Sequence, residues 1–413
     1  MSEILFAIIL GFILFEFTLE RLLDYLDSRY WSPELPTELA GIYDAEKYRK
    51  SQEYEKVKTR FGILVSSFSL ALTAGMLLLQ GFAWVSDLAG SISTQPILQG
   101  LLFFGILFFA SDILGIPFSV YSIFNIEERF GFNKTTVPTY ITDKLKGWML
   151  AVILGGGLLS LVMWLYSISG EWFWLIAWAA ISFFSIFMSM FYSQIIVPLF
   201  NKQKPLEEGP LRDAVMKFSE KVGFKLQNIY VINGSKRSKK ANAYFTGLGS
   251  KKRIVLYDTL IEERSTEELV AVLAHEIGHY KKKHTLTGLI TSLLNTGIIL
   301  YIFSLVMERP ELSAALGAEQ PSFHMGMIAF ALLYGPISLL TGLVMNVVSR
   351  KHEYAADRFA AEHGLSEALQ QALIRLSVNN LSNLRPHPAT VFFHYSHPPL
   401  LKRLEALKKE PKI

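Results

Sequence analysis

The sequence predicts an α-helical polytopic membrane protein with a small α+β block at one membrane face. Of its 413 residues 51% are hydrophobic, too many for a water-soluble chain of this size unless much of its surface faces lipid. Seven stretches are each long and apolar enough to cross a hydrocarbon core of about 30 Å. Between the fifth and sixth lies a polar segment with strand-like runs and a His-Glu-x-x-His pattern.

The seven windows, each read as a transmembrane helix, are Ile4–Leu22, Gly62–Val85, Ile97–Phe118, Gly147–Tyr166, Trp172–Ile196, Leu286–Val306 and Met325–Val348. The first has no basic residue ahead of its apolar run, contains Glu16 and Glu20 and ends without a small-residue cleavage site. It therefore reads as an uncleaved span and not a signal peptide. Glu16, Glu20 and Asp112 are ionisable groups at membrane depth, expected to face one another, a polar loop or a water-filled interior.

Basic residues set the expected orientation. Arg29, Lys47, Arg49, Lys50, Lys56, Lys58 and Arg60 lie between the first two windows, Arg129, Lys134, Lys144 and Lys146 between the third and fourth, and the segment after the fifth is rich in Lys. The alternate loops, Ser86–Pro96, Ser167–Glu171 and Glu308–His324, carry only Arg309. The positive-inside rule then places the N-terminus outside and the long polar segment and C-terminal tail in the cytoplasm, as an odd number of spans requires. The net charge of +4 is a topology signal. No aromatic-interleaved basic patch points to nucleic acid, so the expected partners are the lipid bilayer and a peptide or protein. The absence of cysteine excludes disulfides and thiolate metal ligands.

Four regions follow along the chain: a membrane region at 1–200, a catalytic part at 201–284, two further spans at 285–348 and a second catalytic part at 349–413. The first catalytic part opens with a predicted helix, Pro210–Val222, in which Pro210 suits the first turn. Strand-like runs come next at Ile229–Ile232, Ala243–Thr246 and Arg253–Leu256, separated by Gly, Ser and Lys turns. The second part reads as helices at Ser349–Gly364, Ser366–Ser377 and Pro399–Lys408, with Asn379–Pro398 irregular between them.

The chemistry-bearing motif is Val272-Leu273-Ala274-His275-Glu276-Ile277-Gly278-His279-Tyr280. A capping-box start at Ser265-Thr266-Glu267-Glu268 and an apolar face of Leu269, Val270, Val272, Leu273 and Ile277 make it a helix. One turn separates His275 from His279, so both imidazoles leave the same side and can bind one Zn²⁺, with Glu276 beside the open coordination position as a general base. That is a zincin-like arrangement for amide hydrolysis. A catalytic zinc needs a third protein ligand. Glu353, just past the seventh window as His279 is just before the sixth, is the candidate, with His352, Glu362 and His363 as nearby competitors. On a helix Asp357 shares a side with Glu353 and can hold a zinc-bound imidazole in its tautomer. His284, beside Lys281–Lys283, reads as a membrane-interface anchor. On their own, His397 reads as a turn residue and Arg403 as a solvated helix charge.

The chain resembles the type I CAAX prenyl proteases, integral-membrane zinc endopeptidases also called farnesylated-protein converting enzymes. The resemblance spans nearly the whole sequence: the seven windows, the zinc helix before the sixth, Glu353-Tyr354-Ala355-Ala356-Asp357 after the seventh, Asn242-Ala243-Tyr244-Phe245, Ser396-His397-Pro398-Pro399 with Arg403, and Glu127-Glu128-Arg129-Phe130-Gly131-Phe132-Asn133. It implies Glu353 as the third ligand of one zinc per chain. It also implies that Asn242, with Ala243 and Tyr244 on an edge strand, binds the substrate backbone, that His397 and Arg403 serve the oxyanion, and that seven spans ring a water-filled chamber. A prenylated substrate is implied by the family alone. A membrane quality-control peptidase without a prenyl requirement, and a transporter or scaffold with a structural zinc, are the alternatives; Glu276 speaks against the last, because a structural site has no need of a carboxylate beside its ligands.

Overall fold

Apolar runs in lipid must satisfy every backbone polar group internally, and the computed structural model, which describes residues 1–224, 229–247, 253–262 and 264–409, resolves each of the seven windows into helix. α1 (Ser2–Ser28) covers the first. α2 (Ala45–Leu78) starts where the Asp44 carboxylate accepts from Lys47 N at 2.8 Å. It stops sooner than expected, because Gln80 takes a left-handed conformation (φ 54°) and the chain restarts as a separate α3 (Gly81–Ile92), so most of the expected loop Ser86–Pro96 is helical. α4 (Pro96–Tyr121) runs on through a π turn at Ser122–Glu127. α5 (Val137–Leu150), a second π turn at Ala151–Gly156 and α6 (Gly157–Ser169) hold the fourth window. Gly170 (φ 52°) turns the chain into α7 (Phe173–Ile195), which packs on α6, and a short α8 (Val197–Phe200) ends the region.

The polar block begins with β1 (Gln203–Pro205), α9 (Pro210–Lys221), β2 (Ile229–Ile232), β3 (Ala243–Thr246) and β4 (Arg253–Tyr257). Among the described residues these strands form a sheet ordered β1-β2-β4-β3, in which β2 and β4 are parallel and β3 is an antiparallel edge pairing Ala243 with Leu256. Then come α10 (Asp258–Glu262), the motif helix α11 (Thr266–Lys281) and α12 (His284–Val306). After α13 (Pro310–Ala315), the seventh window is split: α14 (Phe323–Leu333) meets α15 (Gly335–Glu362) at a 53° bend. The helix expected at Ser349–Gly364 is the continuation of α15. α16 (Ser366–Asn379), α17 (Pro388–His394) and α18 (Leu400–Lys409) complete the fold, α17 filling part of the segment expected to be irregular.

One apolar core unites the polar block. Leu39, Tyr43 and Tyr48 from the first loop, Val215 of α9, Ile254 and Leu256 of β4, Leu269, Leu273 and Ile277 of α11, Ala360 of α15, Leu369 of α16 and Leu404 of α18 pack together. Each large apolar side chain fully buried here contributes about 1.5–3 kcal/mol, so segments on both sides of α12–α14 are held as one body.

The apolar helices behave differently: few of their residues are fully buried, and most of those lie towards helix ends. α1 buries Ile9 at one end and Leu23 and Asp27 at the other; α2 buries Tyr48, Ser51, Gln52 and Tyr54, then Leu77. α4 buries Gly100 and Phe103, α5 buries no residue, and α12 buries Leu300 and Phe303. Among the described residues five helical runs are long and apolar enough to cross a membrane, or six with the bent α14–α15 pair. One of the five, Val137–Phe200, is 64 residues long and contains both the fourth and fifth windows. Two of the ionisable groups at depth have polar partners: Asp112 accepts from Lys144 Nζ (2.8 Å) and the Trp148 indole (2.7 Å), and Glu20 pairs with His394 (3.2 Å); the Glu16 carboxyl lies against Gly335 at the bend.

Candidate metal centre

The capping box expected at the start of α11 is formed: Glu268 N donates to Ser265 Oγ (3.2 Å) and Ser265 N to Glu268 Oε2 (3.3 Å). The helix then lies closely along α15. A Cβ on Gly278 would stand 3.1 Å from Phe359 Cβ and 3.2 Å from the Ala356 backbone, so the motif's glycine is what permits this approach. Glu353 is thereby brought opposite the two histidines. His275 Nε2 and His279 Nε2 are 3.1 Å apart; Glu353 Oε1 is 3.2 Å from His279 Nε2 and Oε2 is 3.4 Å from His275 Nε2. A tetrahedral cation with bonds of about 2.0–2.2 Å spaces neighbouring ligand atoms by about 3.3 Å. The three residues fit that triangle. Glu353 Oε2 is buried and has only long contacts, with His275 Nε2 at 3.4 Å and Arg403 Nη1 at 3.5 Å, which leaves a carboxylate oxygen that a cation would satisfy better. Of the competing residues, Glu362 is exposed, His363 points to the Phe359 carbonyl (2.7 Å), and His352 stacks on another ring.

Behind His275 runs a buried polar chain. Its Nδ1 is 2.9 Å from Asp357 Oδ1, and Asp357 is held bidentately by Arg403 through Nε (2.8 Å) and Nη2 (2.6 Å). Burial pushes the His275 pKa down, but the hydrogen bonds with Asp357 and Glu353 outweigh it and hold it up at about 9. Burial likewise opposes the Arg403 charge, and pairing with Asp357 reverses that. The buried carboxylates of Glu353 and Asp357 therefore favour positive charge at this point. Arg403, expected at the oxyanion, is 8% exposed, is bonded to Asp357, has Nη1 at 3.5 Å from Glu353 Oε2 and lines a cavity together with Glu276.

Two cavities meet at this centre. One of about 510 Å³ is bounded by α12 and α15, including Thr287, Thr291, Met345 and His352. The other, about 170 Å³, is walled by Leu260, Val272, Leu369, Ala372, Leu373, Leu376 and Arg403. Asn242, Ala243, His275, Glu276, Glu353 and His397 line both. Tyr244 lines the larger. Burial raises the Glu276 carboxyl above its ordinary range, against the pull of the two imidazoles. His397 is 63% accessible at its side chain because it projects into the cavities; its Nε2 lies 3.3 Å from Glu353 Oε1. Asn242 Oδ1 accepts from Ala243 N (2.8 Å), leaving its NH₂ as the donor offered from the strand edge.

The sequence reading missed His284. It lines the larger cavity, with Nδ1 3.0 Å from His279 Nδ1 and its ring stacked on His352. Helical spacing gives no hint of this, since five residues past His279 points about 140° away on a continuous helix.

Comparison with known proteins gives a consistent result. Residues 28–202 match the family described as CAAX prenyl protease N-terminal, five membrane helices, and residues 205–411 match peptidase family M48. A CAAX prenyl protease 1 homolog of Oryza sativa subsp. japonica is 34% identical over 409 residues, 97% of this chain and 96% of that protein. CAAX prenyl protease 1 of Saccharomyces cerevisiae is 35% identical over 428 residues, 97% of this chain and 94% of its own. The crystal structure of S. mikatae Ste24p superposes with a TM-score of 0.93 at 34% identity, covering 98% of this chain and 99% of that one.

Proposed function

Because the chain belongs to the CAAX prenyl proteases of peptidase family M48, and is thus an integral-membrane metallopeptidase, we propose that it is a zinc endopeptidase cutting near the C-terminus of prenylated CAAX-type substrates. The observation that carries this reading is the triangle of His275 Nε2, His279 Nε2 and Glu353 beside Glu276 at the junction of two cavities. Zinc held there supplies Lewis acidity and lowers the pKa of water towards about 7. Glu276 takes the proton of the attacking water and delivers it to the leaving amine nitrogen. His397 donates to the developing oxyanion from the cavity side. Asn242 and the free edge of β3, through Ala243 and Tyr244, hold an extended substrate by strand addition. Arg403 keeps Asp357 in place behind His275. The small apolar recess suits an aliphatic side chain next to the scissile bond, as a C-a-a-X sequence provides.

In this reading the membrane is crossed seven times, Val137–Phe200 counting as two crossings and α14–α15 as a bent seventh. A packed bundle would bury much of the middle of each helix, whereas here only 6–17% of the residues in the apolar windows are buried. That supports a ring around a water-filled chamber. The basic loops support an outside N-terminus, with the catalytic parts at 201–284 and 349–413 in the cytoplasm.

The test is mass spectrometry of products from one peptide offered farnesylated and unmodified to purified protein of known zinc content. Cleavage of the farnesylated form alone is expected. Equal cleavage of both would favour a quality-control peptidase, and stoichiometric zinc without hydrolysis would reject the catalytic reading.

A further inference from the structure

His279 must present Nε2 to a cation, since that is the atom facing His275 Nε2 and Glu353. Its other nitrogen then carries a proton and needs an acceptor, because a histidine ligand is oriented by what its second nitrogen bonds. For His275 that acceptor is Asp357. For His279 it is His284, whose Nδ1 lies 3.0 Å from His279 Nδ1. The backbone is bent to bring it there: Lys283 sits in the left-handed region (φ 60°, ψ 26°), ending α11 through Lys283 N to Tyr280 O (2.9 Å) and starting α12 through Thr287 N to Lys283 O (2.9 Å). A non-glycine residue in that conformation is uncommon and persists where its surroundings fix it. The His284 ring is fixed in turn by His352, parallel to it within 8° at 3.9 Å between centroids. α15 thus carries Glu353 and, one residue earlier, the plate behind His284.

We propose that His284 is a positioning residue for the metal centre: it accepts the Nδ1 proton of His279, setting that imidazole's tautomer and ring angle, while His352 holds His284. The inference rests on the metal-ligand reading of His275, His279 and Glu353 given above. It makes the two histidine arms unequal, because Asp357 is a charged acceptor and His284 a neutral one, and charge-assisted hydrogen bonds are the stronger.

The experiment uses the full-length protein in detergent, with zinc affinity measured by chelator competition and the visible spectrum recorded after cobalt substitution. His284→Leu fills the space without an acceptor and is expected to lower zinc affinity about 10–100-fold and to shift the cobalt bands. His284→Asn, which returns an acceptor near Nδ1, is expected to keep affinity and spectrum close to those of the unaltered protein. His352→Ala, which removes only the plate, is expected to change the spectrum in the direction of His284→Leu by a smaller amount, and it carries the test if His284→Leu does not fold. Unchanged affinity and spectrum in His284→Leu would overturn the proposal, as would equal losses in the Leu and Asn variants, which would mean packing alone. Failure of the unaltered protein to bind zinc, or retention of zinc by His279→Ala, would instead overturn the ligand assignment on which it rests.

Discussion

Two glutamates within one centre are assigned opposite work, and their surroundings separate them. Both line the two cavities, but the burial that would raise the Glu353 carboxyl is overcome by the imidazoles of His275 and His279, which hold it well below the ordinary range, whereas burial raises Glu276. Glu276→Gln is therefore expected to keep zinc and fold while losing about 10²–10⁴-fold or more in turnover, the range of general base catalysis; metal analysis beside steady-state kinetics checks both halves, and near-normal activity would remove Glu276 from the chemistry. Glu353→Ala is expected to shed zinc in chelator competition, with Glu362→Ala and His363→Ala near normal, since Glu362 is exposed and His363 faces a backbone carbonyl. His397 and Arg403 should also separate. His397→Ala is expected to lower kcat about a hundredfold with zinc retained, as for a lost oxyanion donor. Arg403→Ala strands a buried Asp357, so it is expected to cost about 3–5 kcal/mol of stability and to weaken zinc binding, read by thermal unfolding with metal content. Equal zinc content in both variants would return Arg403 to the oxyanion role.

At the scale of elements, the closeness of α11 and α15 turns on Gly278. Gly278→Val would drive methyl groups into Ala356 and Phe359, an overpacking expected to cost about 1–3 kcal/mol and to separate Glu353 from the histidines. Gly342→Ala, in α15 with open space around it, is the control. A lower melting temperature and lost zinc in the first variant alone is the expected outcome; zinc loss without a stability change would assign Gly278 another role. The same contact shows what was legible in the sequence. The capping box Ser265–Glu268, the strands Ile229–Ile232 and Ala243–Thr246 and the helix from Pro210 were readable because local periodicity and caps specify them. The break at Gln80 and the turn at Lys283 were not, because neither residue type signals a left-handed conformation. β1 is only 3 residues long and exists through its pairing with β2. Among the site residues, His275, Glu276 and His279 announce themselves by spacing, Glu353 stood level with its neighbours until the family pattern was added, and Arg403 and His284 depend on contacts that no local pattern encodes.

Over the whole molecule, two kinds of packing divide the chain. The polar block has one shared core drawn from segments before and after α12–α14, so ligands on α11 and α15 are held by burial. The apolar helices are sparsely buried: Ile9, Leu77, Phe82, Phe103, Leu316 and Met325 form one cluster and Phe173, Leu300 and Phe303 another, while the Trp178 indole donates to Leu293 O (2.8 Å) and ties α7 to the middle of α12. Helices so sparsely buried can enclose a space. If that space holds water, residues in the middle of α12 that face it should be reachable by a charged reagent although they lie at membrane depth. Thr291 lines the larger cavity and sits about 10 Å along α12 from His284, at 1.5 Å per residue. The natural absence of cysteine makes each introduced thiol a unique probe. Thr291→Cys in liposomes is expected to react with a small charged methanethiosulfonate and to resist a bulky maleimide, because entry would be limited by the gaps between helices. Ser91→Cys, in α3, is expected to react from the outer face and Glu207→Cys only once the inner face is opened. Protection of Thr291→Cys from both reagents would mean a dry, lipid-filled interior, and reversed sidedness of the other two would invert the proposed orientation.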